Sequence, residues 1–313
     1  MDLKQIEYFV RVAELGSFTR AAIALGIAQP ALSRQVRLLE VELRQNLLIR
    51  NGRGATLTDA GRLMLEHGLG ILRQVAHARE ELDRAHGVLA GAVALGMPPS
   101  LARRLTVPVM HAFRAQFPRA RLSITEGLSL SLLEWLGSGR LDVALLYGPP
   151  KSEGVEGEYL MDESLFAVFP RLDLPADMDE VEYAQPIALA ELARHPLILP
   201  SQPNALRMLL ERRMIDAGHK PTVAVEVDGV TAILELVSEG MGPAVLPAHT
   251  VHSAAHPGRY VLRPIGPPWV REQVWLVSSA RRARTSTQQV LLELLGKLAP
   301  RLTQAKAMQG TPG

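Results

Sequence analysis

The 313-residue chain has no cysteine. That excludes a disulfide scaffold, a thiolate metal site and a cysteine nucleophile in one step. No run of about 18 apolar residues occurs, so no segment reads as a membrane span and no membrane partner is expected. The opening residues, Met1-Asp2-Leu3-Lys4-Gln5-Ile6, interleave charge with apolar groups and lack the pattern of a secretory signal, so the cytoplasm is the expected compartment. Net charge is low, at +2, and any nucleic-acid contact must come from a local patch.

The catalytic signatures are missing too. There is no His-Glu-x-x-His zinc helix and no phosphate-binding Gly-x-x-x-x-Gly-Lys-Ser/Thr loop. Gly52-Arg53-Gly54 and Gly68-Leu69-Gly70 begin a dinucleotide-like pattern, but Leu57 and Arg73 stand where its third glycine belongs. Gly127-Leu128-Ser129 is followed by Ser131 where a nucleophile elbow needs glycine. His249, His252 and His256 cluster with no carboxylate or cysteine at ligand spacing. No catalytic residue, metal or cofactor is therefore expected.

What is present is enough apolar material for packed cores, 47% of the chain, and a length about twice that of a 150-residue domain. Residues 1–57 read as a small helix-rich unit. Leu3, Ile6, Phe9, Val10 and Val12-Ala13 recur at helical spacing and Gly16 ends that helix. Ser17 caps a helix over residues 18–25, which Gly26 stops. Pro30 then sits in a first turn, and Leu32, Val36, Leu39 and Leu43 form one apolar stripe. Two short apolar runs around Asn51-Gly52-Arg53-Gly54 read as a hairpin. Residues 58–91 follow as a proline-free helix and hinge. Its thin seam of Leu65, Leu69, Leu72 and Ala76 is weakened by Gly61, Gly68 and Gly70, and it is expected to need a partner helix to cover it.

Beyond Gly91, strands alternate with helices, the pattern of a parallel-sheet α/β unit over residues 92–302. Strands are expected near residues 92–96, 121–125, 142–147, 164–169, 196–199, 223–227, 243–246 and 274–277, with a terminal helix over residues 286–298. Two chain crossings, near residues 151–162 and 263–269, would divide it into a lobe of residues 92–160 plus 268–302 and a second of residues 161–267. Residues 303–313 read as a flexible tail.

The strongest functional signal lies in residues 17–43, which read as helix, tight turn, helix. The second helix carries its apolar stripe on one side and Ser33, Arg34 and Arg37 on the other, with Gln29 and Pro30 at its N-terminus. A DNA-reading helix has that division. Residues 18–62 hold seven arginines against three acids, a local charge of +4, which suits phosphate contacts. Arg50 and Arg53 make the following hairpin a basic wing able to reach phosphate or a narrow minor groove. The plainer alternative is a helical hairpin with a solvated face and a surface turn of incidental charge.

The stretches FVRVAELGSFTRAAIALGIAQPALSRQVRLLEVEL and LLIRNGRGATLTDAG resemble the N-terminal winged helix-turn-helix of LysR-type transcriptional regulators. The resemblance extends over about residues 1–300. LILPSQPNALR and GMGPAVLP make it most similar to the nitrogen assimilation control group. It implies an α/β chain: a winged helix-turn-helix, a linker helix, and a two-lobed effector domain like a periplasmic binding protein. Gln29, Pro30, Ser33 and Arg34 match the family's DNA-facing QPALSR element, Arg50 and Arg53 its basic wing; Arg37 lies one turn on. The implied partners are double-stranded DNA bearing an interrupted inverted repeat, RNA polymerase, a second copy of the chain in a homodimer assembling to a homotetramer, and a small-molecule effector, a small organic acid or related metabolite. Residues that follow strand ends would line its cleft: Ser100, Leu101, Gly127, Ser129, Tyr147, Ser201, Asn204 and Asp228. The plainer reading of each is a helix cap. Arg207 would pair with a carboxylate ligand or with Glu211 one turn on. Pro98-Pro99 departs from the family's small polar position and stiffens the loop before Ser100. The alternative function is a ligand-binding or catalytic protein whose helical N-terminus only oligomerises, but that leaves the shared face of Ser33, Arg34 and Arg37 unexplained.

Overall fold

A computed structural model describes residues 1–51, 54–85, 91–171, 181–280 and 284–304. The N-terminal unit is α1 (Leu3–Leu15), α2 (Phe18–Leu25), α3 (Gln29–Leu43) and an antiparallel hairpin, β1 (Leu48–Asn51) and β2 (Gly54–Leu57), before a long α4 (Asp59–Ala85). Local chemistry sets these boundaries. Asp2 accepts from the Gln5 N–H while the Gln5 side chain accepts from Asp2 N–H, a capping box. The Ser17 hydroxyl accepts from Arg20 N–H at the start of α2. Gly16 and Gly26 take the left-handed conformation that ends α1 and α2. Phe9, Val12, Ala21, Leu32, Val36 and Leu39 then close one core.

The expectation for α4 needs correcting in two respects. Leu65, Leu69 and Leu72 pack against the N-terminal core of the same chain, so part of the seam is covered from within. The three glycines are points of close approach. A Cβ on Gly61 would collide with the Leu47 carbonyl oxygen and one on Gly70 with that of Ser138, while one on Gly68 would lie 3.1 Å from Ile6. Each glycine costs about 1 kcal/mol in helix propensity. In return α4 lies flush against the hairpin, α1 and the second unit.

The second unit contains β3 (Ala92–Met97), α5 (Pro99–Gln116), β4 (Arg121–Glu126), α6 (Ser129–Gly137), β5 (Val143–Tyr147), β6 (Val155–Pro170), β7 (Glu182–Tyr183), α7 (Leu189–Leu192), β8 (Pro196–Leu199), α8 (Ala205–Asp216), β9 (Thr222–Glu226), α9 (Val230–Ser238), β10 (Ala244–Pro247), α10 (Ala248–His252), β11 (Tyr260–Pro264), β12 (Arg271–Ser279) and α11 (Ser286–Gln304). One lobe has strand order β4-β3-β5-β12-β6; in the other, β6 continues beside β10-β8-β9 and, on its other side, β11-β7. The inner strands are parallel, as expected, but β6 and β12 run antiparallel to their neighbours. Leu95, Leu105, Phe113, Val143 and Leu291 are buried where α5 and α11 cover the first sheet.

Residues 151–162, expected as a crossing loop, are largely strand. β6 runs for 16 residues, pairing with β12 up to Ser164 and with β10 and β11 from Leu165, so the chain passes between lobes without leaving the sheet. Most of the first half of β6 is exposed on both faces, which removes the apolar alternation by which a strand is read. The return passage is the turn between β11 and β12. The terminal helix extends to Gln304, six residues beyond its expected end; most of the expected hinge and nearly all of the tail lie outside the described residues.

Candidate DNA-binding face and ligand cleft

In α3 the stripe Leu32, Val36 and Leu39 is fully buried. That orients the opposite face outward. Gln29, Pro30, Arg34 and Arg37 are exposed and Ser33 is half-buried. Arg50 of β1 donates to the Ser33 hydroxyl at 2.7 Å, and its guanidinium sits 4.3 Å from the centre of the Phe18 ring. Arg37 donates to Asn46 Oδ1 at 3.3 Å and lies 3.7 Å from Glu40 Oε2. Gln29, Pro30, Ser33, Arg34, Arg37 and Arg50 line one open groove of about 750 Å³. Arg53 lies outside the described residues.

Glu40 was counted in the sequence only as one of three acids. In the fold it is buried, and its Oε1 accepts from the N–H groups of Leu47 at 2.9 Å and Leu48 at 3.2 Å. It therefore fixes the base of the wing to α3. The signal was there, since residues 32, 36 and 40 fall at i, i+4 and i+8, so an acid occupies the buried stripe. Glu40→Ala leaves two buried N–H groups unpaired at about 1–3 kcal/mol each. Urea unfolding of the N-terminal unit is expected to lose roughly 2–6 kcal/mol in that variant and clearly less in Glu40→Gln, which keeps an acceptor.

The second site lies between the lobes, beyond the ends of β3, β4, β5, β8 and β9, where open α/β sheets bind ligands. Ser100, Ser129, Tyr147, Asn204 and Asp228 line a cavity of about 70 Å³, walled by apolar groups including Pro98, Pro99, Leu128, Val230 and Leu246. Ser201 does not line it; its N–H donates to Asp228 Oδ1 at 2.8 Å. Leu101 is fully buried in the core instead, and Gly127 packs beneath Trp135, whose ring a Cβ would meet at 2.8 Å. Asn204 caps α8 through the Arg207 N–H. Arg207 is committed to Glu211 at 2.8 Å, Glu226 at 2.9 Å and the Pro200 carbonyl at 2.8 Å.

Behind the cavity runs a buried polar chain. Ser100 Oγ lies 2.8 Å from the Tyr147 hydroxyl, which donates to Glu163 Oε2 at 2.6 Å. Glu163 Oε1 is 2.6 Å from His249 Nε2, a close approach that is off the line of a hydrogen bond. Burial, and then the negative charge of Glu163, pushes the Tyr147 phenol well above its ordinary pKa, so it stays a neutral donor. One of the three histidines, His249, thus lies against a carboxylate that β6 brings from far away in sequence. Among the described residues no group of three potential metal ligands forms.

A winged helix-turn-helix with an arginine-lined groove, joined to a two-lobed unit with a cleft at its strand ends, defines a ligand-responsive DNA-binding regulator. Residues 3–62 match the bacterial regulatory helix-turn-helix protein, lysR family, and residues 86–300 match the LysR substrate binding domain. The chain belongs to the LysR family of transcriptional regulators and is a DNA-binding regulator of that type. It is similar to the nitrogen assimilation regulatory protein nac of Klebsiella aerogenes, with 32% identity over 302 residues and 96% of each chain covered. Its similarity to nac of Escherichia coli (strain K12) is 35% over 254 residues, 81% of this chain and 80% of that one. The fold is also that of full-length CbnR, a LysR-family regulator solved in complex with its target DNA. The TM-score is 0.68 at 24% identity, covering 94% of this chain and 98% of CbnR.

Proposed function

We propose that this regulator reads an interrupted inverted repeat through Gln29, Pro30, Ser33 and Arg34, with Arg37, Arg50 and Arg53 contacting phosphate or minor groove. The observation that carries the reading is the single groove formed by the exposed face of α3 and the base of the wing. Gln29 and Arg34 present amide and guanidinium groups to base edges, while Ser33 is held in place by Arg50. The protein works in the cytoplasm, as a homodimer assembling to a homotetramer that contacts RNA polymerase, and performs no catalysis. Residues 1–57 bind DNA, residues 58–91 link and pair the protomers, and residues 92–302 respond to the effector.

That effector is a small organic acid or related metabolite. Its supports are the hydroxyls of Ser100 and Ser129, the Asn204 amide and the size of the cavity, which suits a ligand of few heavy atoms. Because Arg207 is committed to two carboxylates, hydroxyls and helix N–H groups rather than that guanidinium would hold the acid. Binding changes transcription only if the ligand prefers one arrangement of the lobes.

The test is selection of genomic fragments by the purified full-length protein. Enrichment of a dyad motif supports the reading; absence of any motif across salt and protein concentrations overturns it. Arg53→Ala is expected to lower the salt slope of binding by about one.

A further inference from the structure

Leu38 breaks the pattern that built α3. Leu32, Val36 and Leu39 are fully buried, whereas Leu38 is 48% exposed. It lies one turn beyond Arg34 and next to Arg37, and it borders the same groove as these two, Ser33 and Arg50. Of the residues lining that groove, Leu38 is the large apolar side chain left exposed, so an apolar group entering the groove packs there. On the reading proposed above, on which this inference rests, α3 enters the DNA major groove. Base edges there offer hydrogen-bond donors and acceptors and one prominent apolar group, the thymine C5-methyl.

We propose that Leu38 is a specificity-determining residue that packs on a thymine methyl group in each half-site. Arg37 and Arg50 draw the helix to the duplex by charge and carry little sequence information through phosphate, while Arg34 reads a base edge by hydrogen bonds. Leu38 adds discrimination that depends on shape and not on charge. Val41, 59% exposed on the next turn, does not border the groove and takes no part.

The test uses the full-length protein, Leu38→Ala and Leu38→Gln, on the site that the wild type selects from a randomised duplex pool. Each thymine is replaced in turn by deoxyuridine, symmetrically in both half-sites, which deletes only the methyl group. One position per half-site is expected at which the wild type loses about fourfold in affinity per methyl removed. Both Leu38 variants are expected to be indifferent there, while binding a scrambled duplex as the wild type does. Equal deoxyuridine sensitivity in wild type and variants at every position overturns the proposal, as does equal weakening by the variants on selected and scrambled DNA. Arg34→Ala serves as the reference. If it changes the selected motif and the Leu38 variants do not, α3 still reads DNA and Leu38 alone is misassigned.

Discussion

Arg34→Ala is expected to weaken binding to the selected site by about 1–3 kcal/mol, roughly fivefold to 150-fold, with a much smaller change on scrambled DNA. Arg34 is exposed on the outward face of α3, one turn after Gln29 and Pro30. Among the described residues its guanidinium forms no hydrogen bond or ion pair, unlike Arg37, which leans on Asn46, and Arg50, which holds Ser33. DNA therefore engages Arg34 without first breaking an internal contact. Arg34→Lys is the sharper comparison. It preserves the charge and the salt slope but loses the planar fork that grips guanine O6 and N7 together. Fluorescence anisotropy on selected and scrambled duplexes across salt concentrations separates the effects. A parallel fall on both duplexes would place Arg34 on phosphate instead of a base edge.

A large stability effect is expected behind the cleft. His249→Ala leaves Glu163 buried with only the Tyr147 hydroxyl as partner, and a buried polar group deprived of its neighbour costs about 1–3 kcal/mol, more where the group is charged. Tyr147→Phe, which removes one hydrogen bond to a charged group, is expected to cost about 1.5–3 kcal/mol. Replacing Glu163 and His249 together by leucine should recover much of the loss, because no charge is then left unpaired. Urea unfolding of the effector domain reads these differences, and DNA binding reports whether the N-terminal unit is intact. A cost below about 1 kcal/mol for His249→Ala would mean that the carboxylate reaches water in solution.

The N-terminal unit was legible residue by residue because its signals are local. Capping by Ser17, the glycine stops and the stripe of Leu32, Val36 and Leu39 each involve neighbours within a turn or two. That stripe also decides which way Arg34 faces. Glu40 shows the limit: its place in the stripe was readable, but its partners, the N–H groups of Leu47 and Leu48, are positioned by how β1 returns along α3. The close approaches at the glycines of α4 were hidden for the same reason. In the chain they are weak helix formers, and only packing reveals the backbone that comes within reach of each. The first half of β6 escaped recognition because sheet pairing holds it in place and burial does not, whereas its buried second half, residues 164–169, was expected as a strand.

The sequence by itself determined the succession of elements in the N-terminal unit, the outward face of α3, the hairpin after it and the resemblance to one regulator family, all of which follow from periodicity, capping and charge within short stretches. The tertiary structure decided the rest. It joined Glu163 to His249, set Arg207 against Glu211 and Glu226, buried Leu101 in the core, folded Gly127 beneath Trp135 and left Leu38 bare at the rim of the groove. Most of these outcomes depend on sheet register and on which element packs against which, and a change of one residue in register turns every side chain of a strand to the other face.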